Sequence, residues 1–182
     1  SLRDGTISDL EFADGSVMVS GLSNQEFSST FRKISFPFTD KQDHATLWLM
    51  FACGLGEDEG AVRSQQLNAE TLGLIETFRK LSRRSYASGL GALYTYESQS
   101  PAVASAKIEG LIERYDVKDE ETLRFFKVHE GADVEHSRVC RELLDRLPEG
   151  EREEAVAAGE ELAGALWNFL SGVEREAGLT VQ

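Results

Sequence analysis

An all-α bundle is the fold class this sequence predicts for most of its length, and three observations predict it. Only three prolines occur in 182 residues. Ala, Leu, Glu and Arg, all good helix formers, fill the long stretches between them, and apolar residues recur there at helical spacing. With 41% of its residues hydrophobic, a chain of this length can bury a sizeable core as one domain with a small appendage.

The start of the chain is the exception. Residues 1 to about 24 contain Asp-Gly pairs that bracket short alternations of apolar and polar residues, a signal for a short N-terminal β-hairpin. Residues 25–36 (QEFSSTFRKISF) read as a short amphipathic helix, and Pro37 with the polar run behind it breaks that pattern. The chain therefore divides into an appendage over residues 1–43 and a helical domain over residues 44–182.

From His44 the run HATLWLMFACGLG is apolar enough for a buried helix, and Gly54 and Gly56 supply its exit. Asn68 is a capping residue for one long helix reaching nearly to Pro101, with Leu72, Ile75, Phe78, Leu81 and Tyr86 at roughly helical spacing. Proline suits a first helical turn and disrupts an interior one, so a bend or a new helix begins at Pro101. Asp119 precedes a further long helix, which Pro148 and Gly150 close. The last helix runs from about Glu151 to Glu176, with Val156, Leu162, Ala165, Leu166, Phe169 and Val173 as its core-facing stripe.

Charge and cysteine usage narrow the function classes. A net charge of −13 repels nucleic acid and anionic membrane surfaces, so neither is expected as a partner. No apolar run approaches the roughly 18 to 20 residues that span a bilayer, and no basic-then-apolar leader pattern opens the chain. Cys53 and Cys140 have no paired spacing, which argues against a disulfide framework or a structural zinc site and makes the reducing cytoplasm the expected compartment.

The chemistry is concentrated in HEGADVEH. His129, Asp133 and His136 stand at i, i+4 and i+7, and at about 100° per residue all three project from one helical face within roughly 10 Å along the axis. Two imidazoles and a carboxylate on one face make a chelating comb for a first-row divalent metal. A second helix adding carboxylate would complete a two-metal site inside a bundle. Glu97, in YTYESQSP at the end of a largely apolar helix, is the natural second-helix ligand, because an unpartnered buried carboxylate is costly. Spacing alone leaves the alternative open that these are surface residues, with Glu97 a capping or ion-pairing group.

With these segments in view, the chain resembles a known family. HATLWLMFACGLG, RRSYASGLGALYTYESQSPAVASAKIEGLIERY and FFKVHEGADVEHSRV are similar to haem-oxygenase-like di-metal oxidases of the CADD type, within the wider TenA and PqqC superfamily, over about residues 44 to 175. The pairing of YESQ-x-P with H-x3-D-x2-H about 30 residues later carries the resemblance. It implies a haem-oxygenase-like helical bundle with His44, Glu97, His129, Asp133 and His136 as metal ligands. It further implies Lys107 as a functional lysine. Tyr94 and Tyr96, close to Glu97 in the chain, read as core aromatics or site-lining phenols, with Tyr94 the better candidate for the core and Tyr96 for the substrate pocket. Position 37, where the family carries a sixth ligand seven residues before the first histidine, is proline here, and residues 1–43 lack the family's upstream helical motifs.

The activity so implied is that of a non-haem oxidase or oxygenase with two iron ions, Fe/Fe or Fe/Mn. It would act on dioxygen with an electron donor and on a small molecule or a protein side chain, in 4-aminobenzoate supply for folate or related amino-acid-derived metabolism. The reading admits a homodimer. Its rivals are a metal-free PqqC- or TenA-like enzyme, which metal content would separate, and a binding module that has lost a ligand, which oxygen consumption would separate.

Overall fold

The computed structural model describes residues 5–13, 16–23, 28–35 and 44–178, the strands and His44 by their backbone. The first three segments are strands β1 (Gly5–Ala13), β2 (Ser16–Ser23) and β3 (Ser28–Ser35). They form one antiparallel sheet in the order β1-β2-β3. Ala13 pairs with Ser16, so two residues connect β1 to β2 in the hairpin that the Asp-Gly signal predicts. β3 corrects the expectation of a short helix. All eight of its residues pair with β2, from Ser28 opposite Ser23 to Ser35 opposite Ser16. Thr30, Phe31 and Ile34 favour extended backbone, and a helix this short gains too little from its own hydrogen bonds to compete.

Seven helices follow among the described residues: α1 (His44–Gly54), α2 (Glu59–Ser64), α3 (Ala69–Arg84), α4 (Tyr86–Glu97), α5 (Ser100–Tyr115), α6 (Glu120–Asp145) and α7 (Glu149–Glu176). Four begin at a side chain that accepts a hydrogen bond from an otherwise unpartnered amide of the first turn: Asp58 from Ala61, Asn68 from Thr71, Ser85 from Ser88 and Asp119 from Thr122. Each such cap contributes about 1 kcal/mol. Pro101 sits in the first turn of α5, where its missing N–H costs nothing. The all-α bundle predicted from the helical spacing is thus the architecture from His44 onward.

Two helix boundaries and one buried face differ from expectation. The long helix expected from Asn68 to Pro101 is two, because Ser85 is extended (φ −164°, ψ 169°) and caps α4. Its hydroxyl also donates to Glu154 Oε1 of α7 at 2.7 Å, a tertiary bond that a continuous helix would forfeit. Pro148 and Gly150 open α7 rather than close α6, which ends at Asp145. On α7, Val156 and Val173 are exposed, and the buried face is Ala155, Ala158, Gly159, Leu162 and Gly172.

Small residues set that rotation. α4 and α7 meet where a Cβ at Gly91 would overlap the Ala155 carbonyl oxygen and one at Gly159 would press on the Thr95 hydroxyl. Close backbone approach there turns the small face of α7 inward at the expense of its larger apolar residues. One cluster of the core joins Ala87, Leu90, Cys140, Leu147 and Ala155, with Tyr94 packed against it. A second joins Leu81, Ala92, Ala158 and Leu162. α4 therefore lies among α3, α6 and α7, while α6 also packs on α1 and α5. No helix among the described residues is long and apolar enough to cross a membrane.

Candidate metal centre

The break at Ser85 and the early end of α4 place Glu97 in the last turn of a short helix that packs across α6. On α6, Asp133 and His136 are one turn apart. The three side chains converge in the core: His136 Nδ1 lies 3.3 Å from Asp133 Oδ1 and 3.5 Å from Glu97 Oε2. One ligand atom from each of the three falls within 4.8 Å of the others. Asp133 is buried, and Glu97 and His136 are nearly so.

His129, one turn earlier on α6, is buried as well. Its Nδ1 is 2.6 Å from the Phe125 carbonyl oxygen. A carbonyl can only accept, so Nδ1 donates, which leaves Nε2 as the nitrogen that can face a metal. The His129 ring also lies against Phe125, with centroids 4.3 Å apart. Phe125 in turn meets Trp48 and Phe126, and Phe126 meets Phe51, so α1 and α6 build an aromatic wall beside the histidine.

The electrostatics are those of two carboxylates pressed together around one imidazole. Burial raises the Glu97 pKa, and the neighbouring Asp133 adds to the rise against the pull of His136. Burial pushes Asp133 up too, but hydrogen bonds from His136, Ser100 and Glu97 outweigh it and hold Asp133 below the usual carboxylate range. Two carboxyls this close do not both ionise readily, and Asp133 is the one that stays charged. The adjoining carboxylates of Asp133 and then Glu97 raise the His136 pKa to about 9 despite its burial. The Tyr96 pKa is driven up by burial and by the charges of Asp133 and Glu97, while its ring meets Phe78 edge-on and part of it is exposed.

Whether this set fits a metal is decided by its unmet valences. Glu97 Oε2 and Asp133 Oδ2 are buried and make no hydrogen bond among the described residues. Unpartnered carboxylate oxygens are costly in a core, and a divalent cation satisfies them together with the imidazole. The donor set fits.

The structure thus brings Glu97, Asp133 and His136 together and sets His129 one turn away. His44 opens α1, but its side chain, like Pro37, Asp40 and Asp43, lies outside the described residues. Lys107 is exposed on α5. Tyr94 packs in the core, as expected. Cys140 is a buried thiol whose pKa burial, aided by Glu97, pushes up to about 11. Sequence reasoning missed Ser100 and the Phe125 carbonyl. Ser100 adjoins YESQ and could have been found there, whereas a backbone acceptor leaves no mark in residue type.

An apolar bundle with a buried cluster of carboxylate and imidazole at the crossing of two helices is the framework of a metal-dependent redox protein. Residues 39–168 match the family of iron-containing redox enzymes, and the chain belongs to that family. Among curated proteins it is similar to the 4-aminobenzoate synthase of Nitrosomonas europaea, 35% identical over 136 residues that cover 73% of this chain and 55% of the relative. It is likewise similar to the 4-aminobenzoate synthase of Chlamydia pneumoniae, 39% identical over 131 residues, covering 71% of this chain and 58% of the relative. That of Chlamydia trachomatis serovar D is 33% identical over 129 residues, covering 70% of this chain and 56% of the relative. The chain spans little more than half the length of these relatives, and the CADD-type resemblance read from YESQ and H-x3-D-x2-H agrees with them.

Proposed function

We propose that this chain carries the metal-binding region of an iron-dependent, O2-activating oxidase that acts in 4-aminobenzoate supply. Glu97, Asp133, His136, His129 and His44 are the ligands we assign to two ions, iron with iron or iron with manganese. The observation that carries this reading is the buried meeting of Glu97, Asp133 and His136 with two carboxylate oxygens left unbonded. Iron bound there would supply the one-electron chemistry by which dioxygen, with an electron donor, becomes reactive.

The chain's own residues do the rest. Asp133 brings a standing negative charge, and His136 releases its proton as it takes up a ligand role. The Phe125 carbonyl fixes the His129 ring. The aromatic wall of Trp48, Phe51, Phe125 and Phe126 keeps that side of the site apolar. We assign Tyr96 to the substrate pocket, because it precedes Glu97 in the chain and its phenol feels the charges of Asp133 and Glu97. Lys107 is assigned as the reactive amine on the family resemblance, and its exposure leaves it accessible to substrate. The substrate is then a small molecule or a protein side chain, and the compartment a cytoplasm that keeps Cys53 and Cys140 reduced.

Protein purified without chelators and loaded anaerobically with ferrous iron should retain about one to two equivalents by elemental analysis. It should also consume dioxygen on mixing. Retention of no transition metal would overturn the metal site itself. Metal retained without oxygen consumption would overturn the oxidase and leave the site standing.

A further inference from the structure

Neither the turn after α1 nor the helix itself requires glycine at position 54. Gly56, not Gly54, takes the positive φ, of 98°, at the exit of α1. The Gly56 amide donates to the Cys53 carbonyl at 2.9 Å and the Glu57 amide to that of Ala52 at 3.1 Å, so the turn that closes the helix lies just beyond Gly54. What requires Gly54 is Thr122, in the first turn of α6. A Cβ at position 54 would stand 2.7 Å from Thr122 Cγ2 and 2.8 Å from Thr122 Cβ, and closer still to Oγ1. Thr122 cannot turn aside. It is 4% exposed, and its hydroxyl donates to Asp119 Oδ2 at 2.7 Å, the oxygen that also accepts from its amide.

From this contact the two helices run antiparallel. Phe51 meets Phe126 and Trp48 meets Phe125, so moving back along α1 leads onward along α6. At about 100° per residue Leu47, Phe51 and Gly54 share one side of α1, and His44 stands within about 60° of Leu47 in helix phase. His44 is ten residues back from Gly54, and ten residues on from Thr122 is Ala132. Equal rise along both helices therefore sets His44 level with the stretch between His129 and Asp133. On the two-ion ligand assignment made above, we propose that the Gly54–Thr122 contact fixes this register and that Gly54 is a positioning residue for the second ion. Ligand atoms keep to within about 0.2 Å of their ideal metal distances. Carbon atoms in contact lie roughly 3.5–4.0 Å apart, so a methyl group at position 54 pushes α1 off α6 by about 1 Å, several times that tolerance. Glu97, Asp133 and His136 belong to α4 and α6, and that displacement leaves them together.

Anaerobic titration calorimetry of the whole chain with ferrous iron tests this. The wild type is expected to bind two ions in two steps, and His44→Ala to lose the weaker one. Gly54→Ala should keep the tighter step and weaken the other at least about tenfold. In a His44→Ala background Gly54→Ala should change nothing, which a general loss of stability would not reproduce. Thr122→Gly removes the obstructing atoms, so Gly54→Ala/Thr122→Gly should regain the second step although it carries one more substitution. Loss of both ions in Gly54→Ala, or a double variant that does not recover, shows a contact needed only for the fold and overturns the proposal. So does a Gly54→Ala chain that binds both ions as tightly as the wild type. A wild type that binds no second ion, or binds one indifferent to His44→Ala, overturns the ligand assignment itself and the positioning role with it.

Discussion

In the metal-free protein His136 holds a proton that a metal must displace. Asp133 and Glu97 raise its pKa from the ordinary 6.5 to about 9. A group whose pKa is raised on folding stabilises the fold fully below the unfolded value, near 6.5, and that contribution is lost as pH climbs through 9. The metal-free protein should therefore lose thermal stability between pH 7 and 10. Metal affinity should run the opposite way, tightening by up to about tenfold per pH unit until near pH 9 as one proton is released. Competition against a chelator of known affinity across that range measures it, and a flat profile would remove His136 from the ligand set. At this scale most of the site was legible. The comb of His129, Asp133 and His136 is a matter of spacing, and Glu97 followed from a carboxylate placed among apolar neighbours. What hid was the support, since the Phe125 carbonyl acts through backbone and Ser100 through a hydroxyl of a kind that occurs throughout the chain.

Among the elements, α4 carries Glu97 and depends on its crossing with α7. Gly91 permits that crossing by lacking a Cβ, and the obstacle its replacement would meet is the backbone of Ala155, which has no rotamer to yield. Gly91→Ala should destabilise the chain by about 1–3 kcal/mol in denaturant unfolding, despite the gain in helix propensity. An unchanged or raised midpoint would mean that α4 and α7 lie farther apart than described. The same crossing explains why the α7 stripe was misjudged. Reading by apolar size favours Val156 and Val173, while the packing chose Ala155, Ala158 and Gly159, and no periodicity distinguishes a small buried face from a spacer. The split at Ser85 escaped for a related reason: its bond to Glu154 joins residues 69 positions apart. β3 escaped because an eight-residue segment takes its state from its neighbour strand.

For the molecule as a whole, the ligand atoms fall into unequal groups. Glu97, Asp133 and His136 are preassembled by two packed helices, whereas a second ion would rely on His129, on His44 at the first residue of α1 and on a carboxylate that Pro37 does not supply. One metal is accordingly expected to bind at least about tenfold more weakly than the other, with Asp40 or Asp43 as the nearest carboxylates in sequence able to assist. Anaerobic titration calorimetry should resolve two steps. Two equally tight sites that ignore Asp40→Asn and Asp43→Asn would show that the missing carboxylate comes from elsewhere. Helix content and the family were legible from the whole chain because each rests on many residues at once. The sheet's third strand and the rotation of α7 were not, because each rests on a single local competition.

The chain has two tryptophans, and the fold puts them at opposite tasks. Trp48 packs edge-on against Phe125 in the aromatic wall, one ring away from His129, within range of quenching by a paramagnetic ion at that histidine. Trp167 stands out in solvent on α7, where its emission is that of an indole in water. Intrinsic fluorescence therefore separates into two signals without any label. With Trp167 changed to Phe, the remaining intensity follows metal occupancy. With Trp48 changed to Phe, the remaining wavelength follows the surroundings of α7, so one cuvette can read metal loading and the state of α7 as independent events.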